Sequence, residues 1–250
     1  MLVEILYSIH VRLTLGEILK LTQRRILLLT KGDRTGVAIW WLAGRMDLHS
    51  DLRNIKFQGY ESQKNNLYES LTKAQDVVKK SKNYIAPENW NAGTNLATFL
   101  FDYVVNNKPQ VILETGVANG ITTRIIQAAD VLNETQFHSI DINPNCAAVN
   151  SDSKNWTFHH LKGSNLKIAL QKIVKTAPQV DLWIHDSDHS YLWQTFEYKL
   201  ALEKLNPGGL LVSDDVDFTK SWGELSKSKE IQFICTVLDG NKCFGIAQKK

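Results

Sequence analysis

"QVILETGVANGITTRIIQAADVL" (110–132) is the stretch on which the fold turns. Its first residues, "QVILETG" (110–116), form an apolar run of strand length, and "ITTRIIQAADVL" (121–132) reads as a helix. In the loop between them Gly116 permits a tight turn, and Gly120 lets the helix pack close to the strand. The next apolar strand, "QFHSIDIN" (136–143), ends in Asp141, placed to accept hydrogen bonds from a ribose diol. Together these features point to a nucleoside-bearing cofactor. The plainer reading is an ordinary strand-to-helix turn with Asp141 capping a helix.

The loop departs from the dinucleotide fingerprint G-x-G-x-x-G. Ala118 stands where the middle glycine would admit a pyrophosphate. No Lys-Ser/Thr pair follows either, as a triphosphate-binding loop requires. A cofactor with a ribose and no phosphate suits this loop better, and S-adenosylmethionine is that cofactor. Glu114 is placed to face its cationic amino-acid end.

Strands and helices alternate on both sides of this unit. Upstream, "ESQKNNLYESLTKAQDVVKKSK" (61–82) reads as an amphipathic helix with Leu67, Leu71, Ala74 and Val78 on one face and lysines at its C-terminal end. A loop (83–94) leads to a second helical stripe through Leu96, Phe99, Leu100, Tyr103 and Val104. Downstream come "WTFHHLKGS" (156–164) as a strand, "NLKIALQKIV" (165–174) as a helix, "VDLWIHDSD" (180–188) as a strand and "YLWQTFEYKLALEKL" (191–205) as a helix. The strand "GGLLVSDDV" (208–216) follows, and the chain closes on two strands joined at Asp239-Gly240. This predicts an α/β fold: a mostly parallel, Rossmann-like sheet with helices on both faces and an antiparallel last strand. Residues 1–80 are expected to be an N-terminal extension, serving as a lid, a dimer contact or both, and 81–250 the cofactor-binding domain. Within the extension, "GEILKLTQRRILLL" suggests a helix running into a strand, and "LTKGDRTGVAIWWL" a hairpin through Gly32-Asp33.

Composition bounds the function. The 250 residues are 43% apolar and 22% charged, and a net charge of +3 without a long basic block argues against nucleic-acid binding. Three cysteines in no metal-like spacing suit a reducing compartment. The apolar N-terminus is broken by Glu4, His10, Arg12, Glu17 and Lys20, so no membrane span or signal peptide is expected and the chain reads as cytoplasmic. Trp40 and Trp41 in "VAIWWLAG" read as core or interface, with a peripheral membrane contact as the lesser alternative.

In this order the segments resemble those of class I S-adenosylmethionine-dependent methyltransferases: "VILETGVANG", "SIDIN", "DLWIHDSDHSY" and "LNPGGLLVSDDV", then a terminal hairpin. The resemblance covers roughly residues 83–250 and implies a seven-stranded sheet whose seventh strand is antiparallel. It implies cofactor contacts at Glu114, Gly116 and Asp141, within a loop that includes Ala118 and Gly120. The family's third motif often has an acid after its glycine; here Ser164 and Asn165 follow Gly163, and Ser164 is taken as the contact.

One stretch, "DLWIHDSDHSYLWQ" (181–194), sets Asp181, His185, Asp186, Asp188 and His189 at the end of an apolar strand. Such a cluster needs a cation, a ligand or water to face. Asp214 and Asp215 end the neighbouring strand, and carboxylates from two strand ends could seat Mg²⁺, which lowers the pKa of an acceptor hydroxyl. The spacing Asp-x-x-His followed by an acid pair resembles metal-dependent O-methyltransferases of the macrocin type, and catechol O-methyltransferase is similar. That likeness implies Asp186, Asp214 and Asp215 as ligands of Mg²⁺ or Mn²⁺ and His189 as general base. Asp188 is the reserve ligand, or else caps the next helix, as Asp214 or Asp215 could also do; His185 reads as a packed residue. Phe218, Trp222 and Trp193 are candidate walls for a small acceptor, a sugar or polyketide-like hydroxyl or an aromatic diol. The other classes are a nicotinamide oxidoreductase, against which the missing glycine argues, and a non-catalytic protein that keeps the fold as a scaffold.

Overall fold

The computed structural model describes residues 47–49, 51–61, 64–80, 85–132, 134–149, 153–240 and 242–250. The predicted helix before residue 30, the Gly32-Asp33 hairpin and the Trp40-Trp41 segment lie outside these residues. The elements are β1 (Asp47–His49), β2 (Lys56–Phe57), β3 (Tyr60–Glu61), α1 (Lys64–Lys80), α2 (Thr94–Asn107), β4 (Val111–Thr115), α3 (Ile121–Ala129) and β5 (Gln136–Asp141). Then follow β6 (Trp156–His160), α4 (Leu166–Thr176), β7 (Val180–His185), α5 (Tyr191–Lys204), β8 (Leu205–Ser213), α6 (Ser221–Leu225), β9 (Ile231–Asp239) and β10 (Lys242–Lys249).

The main sheet has the order β1-β9-β10-β8-β7-β4-β5-β6. β6, β5, β4, β7 and β8 run parallel, and β10 is antiparallel to both β8 and β9. That is the expected seven-stranded Rossmann-like sheet with one strand more, since β1 pairs parallel to β9 at the edge. Among the described residues before position 80, Leu52, Ile55, Tyr60 and Ala74 are buried in one core with α2 and the sheet.

The parallel strands read as continuous apolar runs because both faces are covered. Side chains alternate between two cores. Ile112, Leu182, Ile184 and Val212 point to the α1–α3 side, and Leu113, Trp183 and Leu211 to the α4–α6 side. The same alternation sends Glu114 to the first side and Thr115 and His185 to the second, which decides their roles. α3 stops at Ala129, three residues before the predicted end. The Asp130 carboxylate there accepts from the Glu134 and Thr135 amides and folds the chain into a turn. α2 begins at a glycine that can offer no side-chain cap, and Asp239 from the end of β9 accepts from the Asn95 and Leu96 amides instead.

Candidate active site

The glycine loop between β4 and α3 is built by its backbone. Gly116 has φ +84°, and a Cβ there would stand 2.0 Å from the Asp186 carbonyl oxygen, so β4 and the chain after β7 can close only over glycine. Ala118 also takes a left-handed φ of 46°. Asp141 holds this shape: its carboxylate accepts from the amides of Val117 at 2.7 Å, Ala118 at 3.2 Å and Asn143 at 2.7 Å. Asp141 thus fastens the loop and still lines the cleft beside it, and its oxygens keep lone-pair capacity for a ligand.

That cleft, of about 480 Å³, opens at the carboxyl ends of β4, β5 and β7. Its apolar end is made by Ile142, Cys146, Leu161, Leu166 and Leu170, its polar end by Thr115, Asp141, Asp186, Ser187 and Asp188. Ile85, Ala86 and Trp90 roof it. Asn119 of the glycine loop ties this roof down: it accepts from the Ile85 and Ala86 amides and donates to the Ala86 carbonyl and the Asn91 side chain. The division into an apolar pocket, a carboxylate and a polar end fits an adenosine with an amino-acid tail.

Two expected contacts stand elsewhere. Glu114 is fully buried beneath the loop, not on the cleft wall, because the strand alternation turns it inward. Its carboxylate accepts from the hydroxyls of Thr122, of Thr123 at 2.7 Å and of Ser139 at 2.6 Å, and burial pushes its pKa up. Ser164 is exposed and off the wall, where Asn165 caps α4. Gly120, with φ +72°, packs against Val149.

The acid cluster divides in the same way. Asp181 lies at the far end of β7, accepting from the Gln110 and Val111 amides and from the Asn206 side chain. Asp188 accepts from the Ser190 amide just before α5, a turn rather than a bond to the first turn of the helix, and also lines the cleft. Asp186, Asp214, Asp215 and His189 gather at the ends of β7 and β8. His189 Nε2 lies 3.8 Å from Asp186 Oδ1, and Nδ1 lies 3.8 Å from Asp215 Oδ2. Burial, then Asp214, push the Asp186 pKa well up; burial, then Asp215, push that of Asp214 up to about 7.

These residues do not fit the expected Mg²⁺ or Mn²⁺. Mg²⁺ demands near-octahedral oxygen ligation. Among the described residues no three His, Cys, Asp or Glu side chains converge in a group able to hold a metal ion. The Lys242 ammonium stands within the cluster, 3.2 Å from Asp214 Oδ2.

Of the candidate acceptor walls, Phe218 stacks obliquely on His189, with ring centroids 5.5 Å apart, and Trp193 lines the cofactor cleft. Trp222 is neither: it is fully buried against Gly245, where a Cβ would meet its ring at 2.2 Å.

Two residues escape a reading of the sequence. Lys242 is one. The other is Glu197, fully buried on α5. It accepts from Thr115, Trp183 Nε1 at 3.1 Å, Ser187 Oγ at 2.9 Å and Trp193 Nε1 at 2.9 Å, and lies 3.0 Å from His185 Nδ1. An acid four residues after Trp193, facing the apolar side of a helix, was the available signal.

The comparisons agree with this geometry. Residues 113–216 match a family model described as a methyltransferase domain. A comparison with curated protein sequences gives no match. The structure is similar to the O-methyltransferase from Bacillus cereus in complex with SAH, with TM-score 0.52 and 14% identity over 76% of this chain and 92% of that one. It is similar to the O-methyltransferase TomG from Streptomyces achromogenes, involved in tomaymycin synthesis and in complex with SAM, with TM-score 0.54 and 11% identity over 76% and 91%. The SAH-bound methyltransferase PaMTH1 from Podospora anserina gives TM-score 0.54 and 11% identity over 77% and 92%. Residues 113–216 are therefore a methyltransferase domain, and the chain is built on the class I S-adenosylmethionine-dependent methyltransferase fold.

Proposed function

We propose that this protein transfers a methyl group from S-adenosylmethionine to a hydroxyl oxygen of a small molecule, with His189 as general base. One observation carries the reading: His189 Nε2 is buried without a hydrogen-bond partner, 3.8 Å from Asp186, which itself lines the cofactor-sized cleft. An unpaired ring nitrogen at that place suits an acceptor hydroxyl. S-adenosylmethionine, when bound, supplies a methyl whose C–S bond breaks as the acceptor oxygen bonds to carbon.

The protein's own groups do the rest. Asp141 and the apolar end of the cleft orient the nucleoside, and Asp186 and Asp188 face its cationic end. His189 Nδ1, on the Asp215 side, carries the ring proton, so Nε2 is the acceptor. It takes the hydroxyl proton as the oxygen–carbon bond forms, and the positioned pair reacts as one unit. Phe218 beside the ring gives the acceptor an apolar wall, which favours a sugar-like or aromatic hydroxyl compound. No divalent metal enters this reading.

Calorimetry with S-adenosylhomocysteine and NAD tests the cofactor, and a labelled-methyl assay over sugar and aromatic hydroxyl acceptors tests the reaction. Heat with S-adenosylhomocysteine and none with NAD is expected. Tight NAD binding with no response to S-adenosylhomocysteine would make the protein an oxidoreductase, and cofactor binding without transfer a scaffold.

A further inference from the structure

We infer that Lys242 is the built-in cation of the acid cluster, its ammonium standing where the sequence suggests a divalent metal, so that methyl transfer here needs no metal ion. This rests on the methyltransferase reading and adds to it which cation the acid cluster faces.

The fold delivers the lysine. β10 is antiparallel to β8, so it begins at the end of the sheet where the parallel strands finish. The Val216 amide donates to the Cys243 carbonyl at 3.2 Å, which sets the residue before it, Lys242, over the acid pair. Its Nζ donates to Asp214 Oδ2 and to the Asn91 carbonyl, each at 3.2 Å. Asn91 is in turn bonded through its side chain to Asn119 of the glycine loop. The ammonium is therefore held from two sides, by the strand that carries it and by the cleft roof. Both partners are sheltered, with the Lys242 side chain 16% and the Asp214 side chain 1% exposed.

Charge supports the same assignment. The Lys242 ammonium sets a full positive charge 3.2 Å from the Asp214 carboxylate, with both side chains largely sheltered from water. The cluster thus already has a cation that it holds strongly. A Mg²⁺ ion bonded to Asp214 Oδ2 at about 2.1 Å would lie at most about 5 Å from this ammonium, two cations in one sheltered space. Asp214 Oδ1 is buried without a hydrogen-bond partner, so the lysine is the cation the acid pair is left to face.

Manganese binding, read by the electron paramagnetic resonance signal of free Mn²⁺, tests this on the full chain. Wild type, Lys242→Met, Asp214→Asn and the double variant are compared, with S-adenosylhomocysteine binding measured on the same samples. Wild type is expected to leave the Mn²⁺ signal unchanged at millimolar ion. Lys242→Met should gain a bound ion that the double variant loses, and cofactor binding by wild type should be the same with and without EDTA. The inference is overturned if wild type binds Mn²⁺ and Asp214→Asn abolishes it, or if folded Lys242→Met binds no more than wild type. Should Lys242→Met fail to fold, wild type and Asp214→Asn decide by themselves. Loss of S-adenosylhomocysteine binding in wild type would instead count against the methyltransferase reading, whatever Mn²⁺ does.

Discussion

The protonation of His189, the proposed base, is set by burial as much as by position. Burial is the largest influence on the ring and pushes its pKa down to about 4 from an ordinary value of 6.5. Asp215 and Asp188 pull upward, while His185 and Lys242 push the same way as burial. The folded chain therefore resists a proton that the unfolded chain would take. This stability contribution is full above 6.5 and is lost as pH falls from 6.5 toward about 4. The ring is always available as a base near neutral pH, though correspondingly weak. His189→Ala should lower kcat by roughly 10²–10⁴-fold, the usual worth of general base catalysis, and leave S-adenosylhomocysteine affinity unchanged. The pH profile of wild-type kcat/KM should show no inflection near the ordinary imidazole value and decline only toward about 4. An acid limb near 6.5 that disappears in the variant would mean that a protonatable, solvated histidine does the work.

At the scale of an element, the loop from β4 to α3 contains two glycines that are equal in sequence and unequal in space. A Cβ on Gly116 would strike the Asp186 backbone, which cannot move without pulling the end of β7. A Cβ on Gly120 would meet the Val149 side chain at 2.0 Å, and that side chain can rotate. Both residues have positive φ, worth roughly 1–2 kcal/mol against alanine. Gly116→Ala should therefore abolish S-adenosylhomocysteine binding and lower Tm, while Gly120→Ala should cost mainly the backbone term, about 2–4 °C per kcal/mol for a chain of this size. Differential scanning calorimetry and a binding titration of both variants check the ranking; equal losses would place the Asp186 carbonyl farther off than the structure has it. The need for glycine was readable from the loop itself. The partner that enforces it was not, because Asp186 lies 70 positions away.

Across the whole molecule, Glu197 joins what the strands only bring near. Thr115 from β4, Ser187 after β7 and Trp193 from α5 all line the cofactor cleft, and all three bond to this one carboxylate. Burial opposes its charge, but His185 and the hydrogen bonds outweigh burial and hold its pKa below the ordinary value. Its contribution to stability is present above the ordinary glutamate value and is lost as pH falls below it. Removing one partner of a buried pair costs about 3–5 kcal/mol. Glu197→Ala should unfold at a clearly lower denaturant concentration, and Glu197→Gln, which keeps the shape, should fold yet bind S-adenosylhomocysteine more weakly. Unchanged affinity in a folded Glu197→Gln would confine the residue to packing.

The sequence alone determined the alternation of strands and helices, the glycine loop and the acid at the end of β5, because periodicity, positive φ and strand length are local properties. It also placed Asp186, Asp214, Asp215 and His189 at adjacent strand ends, since parallel order follows from the alternation. Tertiary structure decided which of those groups meet. Glu114 and Thr115 are neighbours in the chain, and one faces α3 while the other faces α5 because a strand turns each successive side chain over. Asp181 and Asp186 share β7 but sit at its opposite ends. Trp193 lines the cleft and Trp222 fills the core, a difference set by which helix each one packs from. Lys242 reaches Asp214 across 28 residues only because the last strand runs antiparallel. Such pairings depend on how distant elements pack, and no local pattern in the chain encodes them.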